Sequence, residues 1–126
     1  MAWATGGAEG EFTALSLERQ LQRRHLYAFE GKLKDWQGAL QQAFRYRYYA
    51  DKSIVVMPTE TAAPAIRNLA AFHEAHVGFW TFDRERDVIK KHYTPTGVRA
   101  MNRTARSDAV SWLSSKVNLS TLSKRS

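Results

Sequence analysis

The sequence predicts an α/β protein in which a mixed β-sheet is flanked by helices, in the order β-β-α-β-α-β-β-α. The main observation is that short aromatic and β-branched runs alternate with stretches whose apolar residues recur at helical spacing. Strands joined through a helix favour parallel crossovers, whereas strands joined by a short turn favour antiparallel hairpins. Both kinds of pairing are therefore expected in one sheet.

Length and composition predict one folded domain. The chain has 126 residues, of which 44% are apolar, enough for a single hydrophobic core. Residues 1–10 are small and Gly-rich and are predicted to form a flexible lead-in, residues 11–117 the domain, and residues 118–126 a polar basic tail. Because cysteine is absent, disulfides, thiol nucleophiles and thiolate metal sites are excluded.

The charge pattern bears on partners. A formal charge of +7 favours contact with phosphate polymers, although a merely basic, soluble protein has the same composition. No apolar run approaches the roughly 20 residues that a membrane helix needs. The first residues also lack a basic segment followed by an apolar stretch. We therefore expect a cytoplasmic protein without membrane contact.

The first half of the domain is predicted as a hairpin followed by a helix. Residues 11–17 alternate in polarity as a strand does, and residues 25–33 form a second, more apolar strand after a polar turn. Asp35 is a good helix cap, and the apolar residues after it recur at helical spacing as far as about residue 50.

The second half continues the alternation. Residues 53–57 form a short apolar run stopped by Pro58, typical of an interior strand that pairs near the preceding one. A helix with Pro64 in its first turn extends to about residue 75. A hairpin of residues 77–82 and 88–93 follows, and residues 107–117 form the last amphipathic helix.

One strand carries an acid and a base two positions apart. Glu30 and Lys32 should share one face of the strand, with Tyr27, Phe29 and Leu33 on the other. A buried charge is costly unless it ligates a metal, is paired, or reaches solvent at the strand end. The pair is therefore either a site or a structural salt bridge.

Further candidates accompany this pair. Glu11 begins the preceding predicted strand, and Gln42 and Tyr46 lie one turn apart on the following helix. In this order the residues resemble the PD-(D/E)xK phosphodiesterase superfamily, which has the restriction-endonuclease-like fold. The resemblance covers roughly residues 11–82. It is closest to a bacterial branch usually predicted to be nucleases, through Phe29-Glu30-Gly31-Lys32-Leu33-Lys34-Asp35-Trp36, Ala39-Leu40, Gln42-Ala43 and Arg45-Tyr46-Arg47.

The resemblance implies a metal-dependent nuclease that uses Mg²⁺ or Mn²⁺ and acts on DNA or RNA, with DNA the favoured substrate of the two. In that family a divalent ion held by carboxylates neutralises the phosphate and acidifies a bound water. The resemblance makes Glu11 and Glu30 the metal ligands and Lys32 the residue that activates the water.

The same resemblance assigns supporting roles to five further residues. Gln42 and Tyr46 would touch the substrate or steady the metal site. Lys34, Arg45 and Arg47 would hold flanking phosphates.

Two departures from the family leave alternatives open. The chain has no Pro-Asp pair, and the helix that precedes the first strand in the family is expected to be missing, because only ten residues precede Glu11. One alternative is therefore a catalytically inactive scaffold that binds nucleic acid or assembles with partners. Another is a basic nucleic-acid-binding module unrelated to nucleases. Sheet surface left uncovered by a missing helix also predicts a homodimer.

Other patterns favour simpler interpretations. His73 and His76 are three residues apart and miss the four-residue spacing of helical zinc sites. Phe79, Trp80 and Phe82 are interpreted as core and sheet packing rather than as a base-stacking platform.

Overall fold

The computed structural model describes residues 2–5 and 24–125, with side chains for residues 24–116. The strands are β1 (Ala2–Thr5), β2 (Leu26–Gly31), β3 (Lys52–Pro58), β4 (Gly78–Asp83) and β5 (Val88–Tyr93). The helices are α1 (Trp36–Tyr46), α2 (Ala63–Arg67), α3 (Leu69–Ala75) and α4 (Arg103–Arg125), with a short 3-10 turn at Thr59–Thr61.

The strands form one mixed sheet in the order β1-β2-β3-β4-β5. The two pairs joined through helices, β2 with β3 and β3 with β4, are parallel. β1 pairs antiparallel with β2, and β4 with β5. The predicted α/β class with a mixed, helix-flanked sheet is therefore confirmed. Because both crossovers advance the sheet in the same direction, right-handed connections bring their helices to the same face.

The main core lies between that face and the helices. Val55 and Phe79, on adjacent strands, pack with Ala43 of α1 and Phe72 of α3, and all four are fully buried. The small residues of α1 let the helix approach the strands closely, and Phe72 contacts Phe79 at a ring-centroid distance of 4.9 Å. We call this side of the sheet the helix face.

The helix α4 begins beside the segment that follows α1, near the amino-terminal ends of the parallel strands. The amides of Met101 and Asn102 donate to the carbonyls of Arg47 and Tyr48, just after α1. Val110 then packs on Leu26 at the start of β2. The helix was predicted for residues 107–117 but spans Arg103–Arg125.

The strand that carries Glu30 is shorter than predicted. It ends at Gly31, and Leu33 is 65% exposed rather than part of an apolar strand face. Beyond Gly31 the chain leaves the sheet, and Asp35, in a left-handed conformation with a φ of 66°, begins α1. The Thr61 hydroxyl donates to the Leu33 carbonyl and holds this bend.

The antiparallel partner of β2 also differs from the prediction. Ala2–Thr5, predicted to be part of a flexible lead-in, forms β1 with its residues opposite Leu26 to Phe29. An Ala-Trp-Ala-Thr segment forms a strand only when the edge of a neighbouring strand hydrogen-bonds to its backbone. The local sequence does not show whether such a neighbour is present. The strand predicted at residues 11–17 lies outside the described residues.

Candidate functional site

Glu30 lies on the helix face near the carboxyl end of β2. It is half-buried beside Val55 of β3. The Tyr46 hydroxyl, from the last residue of α1, donates to Glu30 Oε2 at 2.6 Å. The strand with the E-x-K pattern and the helix with the Gln-x-x-x-Tyr pattern therefore contact each other through Glu30 and Tyr46.

The electrostatics keep the proton on the tyrosine. Burial raises the pKa of Tyr46 to about 12, with further contributions from its hydrogen bond to Glu30 and from the Glu30 charge. The pKa of Tyr49 is also raised, first by burial and then by Glu30. At neutral pH, Tyr46 is therefore a hydrogen-bond donor to the carboxylate, and not a base.

Lys32 stands apart from this contact. It is exposed one residue beyond β2, and its amide still donates to the Val56 carbonyl at 3.1 Å. No ion pair within 4.0 Å joins Lys32 to Glu30, although both side chains are described. The salt bridge weighed from the sequence does not form, and Lys32 has solvent at the strand end.

A groove of about 290 Å³ opens beside Lys32, and its lining comprises Gly31, Lys32, Leu33, Val56, Met57, Pro58, Phe82 and Arg84. The floor is apolar, whereas Lys32 and Arg84 bring two cations to the rim. Arg84 is 59% exposed and lies 4.0 Å from the equally exposed Glu60. The carboxyl end of the parallel strands is the end at which open α/β sheets bind ligands, although the strand order β2-β3-β4 has no switch point.

The carboxylates of the described chain do not fit a divalent-metal site by themselves. Glu30 is a single acid with Tyr46 already bonded to it, and residues 24–116 contain no group of three acidic or histidine side chains that could hold a metal. Glu11, the other predicted ligand, lies outside the described residues. Gln42 is exposed on α1, one turn before Tyr46.

The predicted phosphate-binding residues are arranged in two ways. Lys34 and Arg45 are exposed. Arg47 is half-buried: its Nη1 donates to the Ala75 carbonyl at 2.9 Å, and its guanidinium lies 5.8 Å from the Phe44 ring. Burial lowers the pKa of Arg47. Arg47 thereby joins the end of α1 to the end of α3.

The opposite side of the sheet, the open face, carries a row of aromatic side chains. The Tyr27 and Phe29 rings are 6.2 Å apart, and the Phe29 and Trp80 rings 5.5 Å apart. All three side chains are half-buried. Phe79 points to the helix face and is core, as predicted, whereas alternation along β4 places Trp80 and Phe82 on the open face. Trp80 packs on Phe29, which is the sheet packing predicted for it, although the main core lies on the other face.

The histidines of residues 24–116 do not belong to any group of side chains that could hold a metal ion. His73 stacks on Tyr93 at 3.8 Å, and His76 ends α3 with a left-handed φ of 53°. His92 Nε2 lies 2.8 Å from Thr81 Oγ1, and burial followed by the charge of Lys90 lowers its pKa.

A buried charge cluster was not predicted. Asp51 is 1% exposed and accepts from the Leu26 amide at 2.7 Å, from the Ala100 amide at 3.1 Å and from Arg106 Nε at 3.0 Å. Arg106 also donates to the Arg24 carbonyl. The only sequence indication was an aspartate directly before a buried strand. The cluster ties β2, β3 and α4 together and is structural.

Comparison with family models, with curated proteins and with solved structures finds no match to this chain. Among the residues that the structure describes, no helix has both the length and the apolar character required to cross a membrane.

Proposed function

We propose that the protein binds nucleic acid, with the groove at the carboxyl end of the sheet holding the phosphate backbone. The observation that carries the proposal is the pairing of Lys32 and Arg84 on the rim of an apolar groove. Both side chains are exposed, so a phosphate can reach them, and neither charge has to be buried beforehand. Lys34, two residues from Lys32, adds a third exposed cation to this end of the molecule.

Electrostatics support the same partner. The formal charge of +7 gives a long-range attraction for polyanions. Lysine and arginine contacts to phosphates supply most non-specific affinity for nucleic acids. The resemblance to the nuclease superfamily implies the same class of partner. Binding of nucleic acid does not require that the protein also cleaves it.

Anisotropy of labelled DNA and RNA oligonucleotides at low salt tests the proposal. The double variant Lys32→Ala/Arg84→Ala should bind about tenfold or more weakly than wild type, because two phosphate contacts are lost. The matched control is Arg103→Ala, which removes an exposed arginine at the start of α4, outside the groove. The proposal is wrong if no nucleic acid binds, and the groove is the wrong site if the double variant binds as wild type does.

A second candidate is hydrolysis of the phosphodiester bond, as the resemblance implies. What favours it is the contact of Tyr46 with Glu30, two positions before the exposed Lys32 in the sequence. The described carboxylates do not complete a metal site, so the first measurement is calorimetric titration with Mn²⁺. If this candidate is right, wild type binds the ion, and Glu30→Gln abolishes both binding and cleavage.

Lys32 separates ligand and catalytic roles. Lys32→Ala should leave Mn²⁺ binding intact, because a lysine is not a metal ligand here, while lowering turnover by about a hundredfold or more. If wild type binds nucleic acid but neither binds Mn²⁺ nor cleaves, the inactive binding scaffold is the function. If Lys32→Ala cleaves as fast as wild type, Lys32 has no part in catalysis.

A further inference from the structure

Resting on the proposed function, we infer that the open face of the sheet binds single-stranded nucleic acid, with bases stacked on Phe29 and Trp80 and phosphates at Lys52 and Lys91. The open face is defined by the alternate strand residues that point away from the helix core. The core contacts of α1, α2 and α3 are with the helix face, and the contact of α4 with Leu26 is on that side as well.

The aromatic row extends across three strands. Phe29 of β2 and Trp80 of β4 lean together over β3 at an interplanar angle of 58°, above the fully buried Ile54 and the half-buried Val56. Tyr27 continues the row along β2. Flat rings held on a rigid sheet can stack successive bases with little ordering cost, and stacking is available to every base.

Cations accompany the rings. Lys52 Nζ lies 5.5 Å from the Tyr27 ring centre, and Lys91 Nζ lies 4.6 Å from that of Trp80. The register shift between β4 and β5 produces the second pair: Phe79 lies opposite Tyr93, but Trp80 lies opposite Lys91 instead of His92. Each ammonium thus lies over a ring face, and a base that stacks on the ring takes its place while the flexible lysine moves to the adjoining phosphate.

The charge of this face is of one sign. On β2 to β5 the open-face positions carry Lys52 and Lys91 and no aspartate or glutamate, since Glu30 and Asp83 belong to the helix face. The face continues into the groove, because Val56 and Phe82 line both. Rings with lysines beside them, leading to Lys32 and Arg84, suit a flexible polyanion with exposed bases. A duplex buries its base faces inside its own stack and cannot use the rings.

The test compares a labelled 15-nucleotide oligothymidylate, a hairpin duplex of equal phosphate number, and an abasic strand of the same length. Wild type should bind the oligothymidylate at least tenfold more tightly than the other two. Phe29→Ala and Trp80→Ala should each weaken oligothymidylate binding about fivefold to a hundredfold and leave abasic-strand binding unchanged. Trp112→Ala, which removes a tryptophan that is 53% exposed on α4, is the matched control and should bind as wild type does.

Trp80→Phe guards against a folding defect, because it keeps a ring at the position and should retain most of the affinity. Equal binding of the three probes, or unchanged binding by Trp80→Ala, overturns the inference and leaves the proposed function standing. Failure of every probe to bind overturns the proposed function itself. A dimer in sedimentation that Trp80→Ala dissociates also overturns the inference, because a second copy would then occupy this face.

Discussion

The hydrogen bond between Tyr46 and Glu30 makes the molecule sensitive to alkaline pH. The folded pKa of Tyr46 is raised to about 12, above its unfolded value near 10. A group whose pKa rises on folding contributes stability that is complete below the unfolded pKa and is lost as pH rises through the folded one. Its contribution should therefore be full below pH 10 and disappear towards pH 12.

We expect absorbance titration of the five tyrosines to show a late step near pH 12 that Tyr46→Phe removes. Glu30→Gln should move that step to lower pH, because the neighbouring negative charge is gone. Tyr48→Phe, a change at a tyrosine 52% exposed in the adjoining turn, is the control and should retain it. Because the pKa of Tyr49 is raised as well, the assignment is contradicted if the step near pH 12 persists in Tyr46→Phe and is lost in Tyr49→Phe.

Asp51 should be the most sensitive polar residue of the fold. Its carboxylate serves two amides and the Arg106 guanidinium while almost fully buried. Breaking a buried pair leaves an uncompensated charge, so Asp51→Asn should lower the free energy of unfolding by about 3–5 kcal/mol. Urea denaturation measures the change. The exposed Asp108→Asn should stay within about 0.5 kcal/mol of wild type, and an equal effect of the two variants would refute the structural role.

At the scale of elements, α1 depends on an unusual cap. Asp35 has a left-handed φ of 66°, and its Oδ1 accepts from the Gly38 amide at 3.1 Å. Asp35→Ala loses the bond and is strained in that conformation, so it should cost about 1–2 kcal/mol in thermal or urea unfolding. Asp35→Asn and Asp35→Gly keep the cap or relieve the strain and should cost much less.

Gly38 provides an independent check of this cap. A β-carbon there would lie 2.4 Å from Asp35 Oδ2, so Gly38→Ala should displace the capping side chain despite the better helix propensity of alanine. If Asp35→Ala and Asp35→Asn unfold at the same denaturant concentration, the side chain of Asp35 does not cap α1.

The sequence predicts those elements that are specified by residues close to one another in the chain. The helix α1 follows from apolar spacing within a few residues, and its predicted start at Asp35 is confirmed. The contact of Tyr46 with Glu30 joins α1 to β2, two consecutive elements that the sequence pattern links. The pairing of Asp51 with Arg106 spans 55 positions and exists only once α4 docks. The end of β2 at Gly31 was missed because Leu33 reads as apolar strand, whereas its burial depends on the bend that follows.

For the whole molecule, the open face is a property of sheet order rather than of any one segment. The sequence placed Phe79, Trp80 and Phe82 together as packing residues, but alternation divides them between a filled core and a face of rings and lysines. Only the neighbouring positions of β2, β3 and β4 bring Phe29 to Trp80. Binding is therefore a property of the whole surface formed by these strands, and the number of cations on that surface gives a measurable prediction.

Salt dependence measures that surface as a unit. If Lys32, Arg84, Lys52 and Lys91 each neutralise one phosphate, the logarithm of the oligothymidylate association constant should fall against the logarithm of salt concentration with a slope of about −3. Each single alanine variant should reduce the slope by about 0.7, while Arg103→Ala leaves it unchanged. The melting temperature should hold or rise over the same range, because salt screens the self-repulsion of a chain of charge +7. Loss of binding with salt is then distinguished from unfolding, and a slope near zero would show that phosphate contacts do not drive binding.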